Sequence, residues 1–142
     1  MSLLDQRPST TQVGKEADTV RWVAICHLDD LQVGRGMVAL VAGRPVALFR
    51  TTTDGPVHAI DNVDPWTGAS VLGRGLVGHT VVEGRPIDHV ASPLRKQRFD
   101  LRTGRCLDGP RSVGVWPTRV VDGIVEMTGR SSSGGNDPET AP

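Results

Sequence analysis

The sequence predicts an all-β domain of small antiparallel sheets, and three observations carry the prediction. The 142 residues include 17 glycines and 10 prolines, a content that favours turns over long helices. Short apolar runs recur at intervals of roughly 8–12 residues with turn residues between them, as in small sandwiches and barrels. No apolar face repeats with helical period over helical length.

The first strand is expected over 20–26, followed by a turn or one helical turn over 27–31. The runs 37–42 and 45–50 flank Gly43-Arg44 in a hairpin pattern. Asp54-Gly55 turns the chain into a strand over 57–60. Two short runs follow at 80–82 and 87–91, then 98–101, which ends at Thr103-Gly104. The last pair, 113–121 and 124–128, is joined by Asp122-Gly123. Residues 1–19 and 129–142 carry no apolar pattern and are expected to be disordered tails. Such segments bury too little surface to offset the entropy of ordering. The expected organisation is a tail at 1–19, one domain at 20–128 and a tail at 129–142.

Sixteen Lys and Arg balance sixteen Asp and Glu. A chain of zero formal net charge has no general field to gather nucleic acid or an anionic membrane, so neither is an expected partner. The longest apolar run, 37–42, is far shorter than a membrane-spanning helix. The first residues, MSLLD, lack the basic and apolar regions of a secretory signal. Two cysteines, Cys26 and Cys106, cannot make a disulfide framework, so a reducing, cytoplasmic location is expected. No phosphate loop, dinucleotide fingerprint or Ser-His-Asp spacing is present, and no independent active site is expected on this chain. His27, His58, His79 and His89 show no metal-ligand spacing, and no metal site is expected. Trp22 and Trp116 lie in strand patterns and read as core, and both cysteines read as buried thiols.

Two stretches go beyond generic β. The first is AIDNVDPWTGA over 59–69, and the second is SPLRKQRFDLRTG over 92–104. Together they resemble the two cluster-binding loops of Rieske iron–sulfur domains (ISP-type), which read Cys-Pro-His-x-Gly-Ala and Cys-Pro-x-His-Gly. Asn62, Pro65, Gly68, Ala69, Pro93, Phe99, Asp100, Leu101, Thr103 and Gly104 match the framework of those loops. The ligand positions do not match. Asp64 and Ser92 stand where the family has cysteine, and Trp66 and Arg95 where it has histidine. A Rieske centre needs two thiolates and two imidazoles. Indole offers only a donor N–H, and arginine stays a cation. The resemblance therefore implies a Rieske-like domain without its cluster and with no cofactor or metal on this chain.

Kept framework and lost ligands together are similar to the small subunit of the NADH-dependent assimilatory nitrite reductase. Trp22 to Cys26, the strand Ala47-Leu48-Phe49-Arg50, Asp61 to Trp66, the segment 71–78, Ala91-Ser92-Pro93 and Lys96-Gln97 match that family in order. Arg95 departs from its pattern. The resemblance implies an accessory subunit of an oxidoreductase that reduces nitrite to ammonium in nitrate assimilation. Its partner would be a large catalytic subunit carrying FAD, an iron–sulfur cluster and sirohaem. The alternative is a non-catalytic module reused from the Rieske scaffold with a different partner, since fold alone does not fix function.

The same resemblance places the two loops side by side. Asp64 and Arg95 are then expected to face each other as an ion pair, or else to be solvated separately. Trp66 is either a plug in its loop or an aromatic anchor for a partner. Arg95, Lys96, Arg98, Arg102 and Arg105 make a basic stretch against Asp100 alone. It reads as a docking patch for an acidic surface or as a charged edge strand. The expected docking residues are Asp64, Trp66, Arg95, Lys96 and Arg98.

Overall fold

The protein is described from a computed structural model covering residues 21–128. Both expected tails, 1–19 and 129–142, lie outside the described residues. Ten strands follow one another: β1 (Trp22–His27), β2 (Gly36–Val41), β3 (Arg44–Arg50), β4 (Val57–Asp61), β5 (Leu76–Val82), β6 (Arg85–Ala91), β7 (Arg98–Asp100), β8 (Val115–Trp116), β9 (Thr118–Val121) and β10 (Ile124–Thr128). The helical pieces among the described residues are two 3-10 turns, Leu28–Asp30 and Leu72–Arg74. None of them is long and apolar enough to cross a membrane.

The strands form three antiparallel sheets, ordered β1-β10-β9, β2-β3-β4-β8 and β5-β6-β7. Three tight turns set their registers. Ala42-Gly43, Glu83-Gly84 and Asp122-Gly123 all have positive φ at both residues. They close two-residue hairpins with Val41 opposite Arg44, Val82 opposite Arg85 and Val121 opposite Ile124. This is the geometry of a type I′ turn, which suits the twist of the flanking strands and asks for glycine at its second centre.

The middle sheet is buried on both faces, as the alternation along β3 shows. Val46 and Leu48 join a cluster with Leu31, Val57, Trp116, Val125 and Met127. Ala47 and Phe49 point the other way, to Ile60, Leu72, Val90, Phe99 and Val113. Successive strand residues alternate faces, so one strand feeds both cores. The first core lies against the sheet of β1, β10 and β9, and the second against the sheet that carries one of the two loops.

Four expectations shift. β5 begins at Leu76, four residues before the expected run. Gly78 hides that strand from pattern reading, and the His89 ring explains the glycine. A Cβ at position 78 would lie 2.9 Å from the His89 Nε2. Pro117 divides the expected run 113–121 into β8 and β9, which belong to different sheets, because proline cannot donate to a ladder. Trp116 is core as expected, but Trp22 is half-buried, with the Arg119 guanidinium 4.2 Å from its ring. Cys26 and Cys106 are free and half-buried rather than enclosed, and burial pushes both thiols up in pKa.

Candidate functional site

The two loops singled out by sequence are built on one backbone plan. In the first, the Gly68 N–H donates to the Asp64 carbonyl (2.8 Å), and the Asp64 N–H donates to the Ala69 carbonyl (2.8 Å). In the second, the Lys96 N–H donates to the Ser92 carbonyl (2.9 Å), and the Ser92 N–H donates to the Gln97 carbonyl (2.9 Å). The side chain at the head of each loop accepts from the backbone two residues on. Asp64 Oδ1 takes the Trp66 N–H at 2.8 Å, and Ser92 Oγ takes the Leu94 N–H at 3.3 Å. The fifth residue of each has positive φ, Gly68 at 76° and Lys96 at 67°.

The heads of the loops meet. Ser92 Oγ donates to Asp64 Oδ2 at 2.6 Å, and both residues are buried, Asp64 fully so. The other Asp64 oxygen is occupied by the Trp66 and Thr67 N–H groups. Burial pushes the Asp64 carboxyl up in pKa. The hydrogen bonds from Ser92, Trp66 and Thr67, together with the charge of Arg95, outweigh that and hold it below the usual value.

The contact across the loops is therefore Asp64 to Ser92, not Asp64 to Arg95. Arg95 is exposed and lies outside ion-pair distance of Asp64, so the expected pair is corrected. Its charge acts on Asp64 only through space. A fully buried Asp64 cannot touch a partner either, so its expected role in docking becomes one of tying the loops together.

Trp66 is a plug. Its ring sits 6.1 Å from that of Phe99, tilted at 55°, in the range of favourable aromatic pairs. Gly109 leaves room for it, since a Cβ there would lie 2.9 Å from the indole. The Arg111 guanidinium covers the ring at 5.7 Å and donates to the Pro65 carbonyl. Gly109 and Arg111 were not singled out from sequence. The Gly-Pro-Arg at 109–111 gives no signal beyond a turn until the indole is seen against it.

The chain beside the loops is fixed by two further side chains. Asn62 Oδ1 accepts the Gly73 N–H (2.6 Å), its amide donates to Ser70, and its carbonyl accepts from Val71 and Leu72. Asp61 accepts from the Trp116 indole and the Gly114 N–H. Leu94, Arg95 and Lys96 project from the second loop and are exposed. Arg98 behaves differently. Its N–H, Nε and Nη2 all bond Asp108, at 2.8–3.0 Å, and the pair holds the Asp108 carboxyl at about 2. Its charge is already answered within the chain.

His79 and His89 stay apart in chemistry. The His79 Nδ1 lies 2.6 Å from Asp88, whose other oxygen accepts from Thr51. His89 packs over Gly78. No group of three or more His, Cys, Asp or Glu able to hold a metal ion occurs among the described residues.

Comparison with known proteins agrees with this geometry. A family model described as Rieske-like [2Fe-2S] domain matches residues 21–128. The nitrite reductase (NADH) small subunit of Salmonella typhimurium is 44% identical over 110 residues, covering 77% of this chain and 98% of that protein. A solved structure described as a NADH-dependent nitrite reductase small subunit from Mycobacterium tuberculosis has a TM-score of 0.70 and 45% identity, covering 78% and 96% of the two chains. A nitrite reductase [NAD(P)H] large subunit from Klebsiella oxytoca is 45% identical over 105 residues, which are 10% of its own length. With a Rieske-like family model over 21–128 and a small-subunit relative matched over 98% of its length, the chain belongs to the Rieske-like domains and, among them, to the small subunits of NADH-dependent nitrite reductase.

Proposed function

We propose that the chain works in the cytoplasm, in nitrate assimilation, bound to a large subunit that carries FAD, an iron–sulfur cluster and sirohaem, and that it holds no cluster of its own. The observation that carries the second half is the chemistry of the four ligand positions. The family description implies a [2Fe–2S] cluster, and these residues do not fit one. Asp64 has both oxygens engaged by loop donors. The Ser92 hydroxyl is committed to Asp64. Trp66 offers no lone pair, and Arg95 is a cation. Hydrogen bonds thus join two loops that a metal centre joins elsewhere in the family, and no electron passes through this chain by that route.

Partnership with a large subunit is supported by the Klebsiella oxytoca protein, which contains a segment of this kind within a much longer chain. The accessory subunit contributes a rigid surface rather than a reacting group. Its docking face is the outer side of the second loop, Leu94, Arg95 and Lys96. Two unpaired cations there act mainly on association rate and specificity.

The test is recovery of the tagged protein from cells grown on nitrate, with an assay for NADH-dependent nitrite loss and a visible spectrum. The expected result is a large flavin- and sirohaem-containing partner with activity, lost in the Arg95→Glu, Lys96→Glu variant. A different partner without nitrite activity would move the chain to the binding-module reading. Iron and colour in the separately purified subunit, prepared without oxygen, would overturn the absence of a cluster.

A further inference from the structure

We infer that the cleft between the β5–β6 hairpin and the turn after β7 binds a small phosphate-bearing anion. The cleft encloses about 680 Å³, within the range of small-molecule sites. Arg85 lines it on the hairpin side, and Arg102 and Arg105 line it on either side of the Thr103-Gly104 turn. All three are exposed, and their guanidinium groups have no ion-pair or hydrogen-bond partner among the described residues. Arg44, Arg50, Arg98, Arg111 and Arg119 each have one. Three unanswered cations, carried by two separate elements, therefore line one concavity.

Two carboxylates oppose them. Glu83 stands at the hairpin tip. Asp100 is buried at 8% exposure and already accepts the Arg102 N–H. Like charges gathered round a common space repel one another, and an anion placed between them removes that cost. Guanidinium forks match phosphate oxygens in pairs. Thr103 adds a donor: its Oγ accepts the Arg105 N–H, which leaves the hydroxyl hydrogen free. Pro86, Ile87 and Leu107 line the same cleft and offer an apolar wall for the organic body of a nucleotide.

The Arg85 wall of the cleft is remote from the docking loop. Arg85 and Ala91 are the two ends of β6, roughly 20 Å apart at about 3.3 Å per residue, and Ser92 follows Ala91. Binding in the cleft is thus separable from docking through Arg95 and Lys96.

The test is calorimetric titration of the full chain with inorganic pyrophosphate and with ADP, accompanied by amide NMR shifts. The expected result is one saturable site, with shifts at Arg85 and over 102–107. Affinity should fall by about tenfold or more in the Arg102→Glu, Arg105→Glu variant. The Arg95→Glu, Lys96→Glu variant should bind as the parent does. Tighter binding of ADP supports an organic phosphate seated on the apolar wall, and equal binding supports the inorganic anion. No saturable heat at millimolar ligand, equal binding by the Arg102, Arg105 variant, or binding of polyglutamate but of neither phosphate would overturn the proposal. Exposed arginines without partners can be changed with little effect on folding. Arg85→Ala provides a second, milder variant on the other wall.

Discussion

The loop headed by Asp64 and the loop headed by Ser92 follow the same hydrogen-bonded path, yet they end in opposite ways. In the first, the residue two places on is Trp66, turned inward against Phe99 and Gly109. In the second it is Leu94, 53% exposed, followed by exposed Arg95 and Lys96. The first loop therefore seals the domain, and the second presents a surface. One backbone plan can serve stability in one copy and recognition in the other, because the plan fixes where a side chain starts and not what it touches. The difference predicts that substitutions in the first loop are read in folding and those in the second in binding.

The largest break comes at Asp64. Truncation to Ala strips two backbone N–H groups and the Ser92 hydroxyl of a buried, charged acceptor. The expected loss is about 3 kcal/mol by denaturant unfolding. Ser92→Ala should cost about 1 kcal/mol. A cycle combining the two should show coupling of about 1 kcal/mol or more, as expected for residues in contact. Asp64 with Arg95 should show less than about 0.5 kcal/mol, the value of a screened, unpaired charge. Strong coupling to Arg95 would restore the ion pair in place of the Asp64–Ser92 contact.

Trp66→Ala comes next. The half-buried indole packs on Phe99 under Arg111, so the expected loss is about 2 kcal/mol, below that of a fully buried aromatic. Leu94→Ala, at the corresponding place in the second loop, should cost less than about 0.5 kcal/mol. Equal losses would show that both loops are packed alike and that the second is no free surface.

The Asp122-Gly123 hairpin was legible in the sequence because a residue followed by glycine between apolar runs has one favourable geometry, whereas the first hairpin turns at Ala42-Gly43, one residue before the expected Gly43-Arg44. The framework of the loops was legible through the resemblance to Rieske domains, and the structure shows what its residues do: Asn62 bonds the chain at Gly73, Gly68 takes a positive φ, and Phe99 packs in the core. The head positions Asp64 and Ser92 were legible as replacements, but not as each other's partner. Opposite charge suggested Arg95, whereas burial selects the short side chain that can enter a closed space without carrying a second charge into it. Arg98 looked free because Asp108 lies ten residues away, across a turn whose path no pattern specifies. β5 was obscured by Gly78, whose reason is a ring on the neighbouring strand. Apart from the start of β5 and the division of 113–121 at Pro117, what sequence reading missed was contact between elements.

Acid titration sharpens the comparison with smaller effects, since protonation leaves the Asp64 carboxyl in place and removes only its charge. The folded pKa of Asp64 lies below its ordinary value. Its contribution is therefore complete above about pH 4 and is lost as pH falls through the folded pKa. Asp64→Asn should flatten the stability profile in that range. His58 and His89 act in a separate window. Burial pulls both imidazoles down, so stability should begin to fall below about pH 6.5, where the unfolded histidines take up protons. A His58→Gln variant should remove part of that upper slope and leave the Asp64 range unchanged. The second loop contains no carboxylate, so Lys96→Ala should leave the shape of both ranges intact, whereas Arg95→Ala removes one of the influences that hold Asp64 down and should slightly reduce the Asp64 range.

The smallest effect tests the shared plan itself. Gly68 and Lys96 occupy the same place in their loops and the same left-handed region, where a side chain costs about 1 kcal/mol. A Cβ at position 68 would meet nothing within 4 Å, so Gly68→Ala should lose about that amount through the backbone alone. Lys96→Gly should recover up to about 1 kcal/mol while removing one cation from the docking face. If binding to the large subunit weakens as stability rises, the lysine is kept for recognition at a cost in folding. Lys96→Asn separates the two causes, because asparagine tolerates the left-handed region and carries no charge. Weakening by Asn equal to that by Gly would assign the loss to the missing cation, and binding retained by Asn would assign it to the shape of the loop.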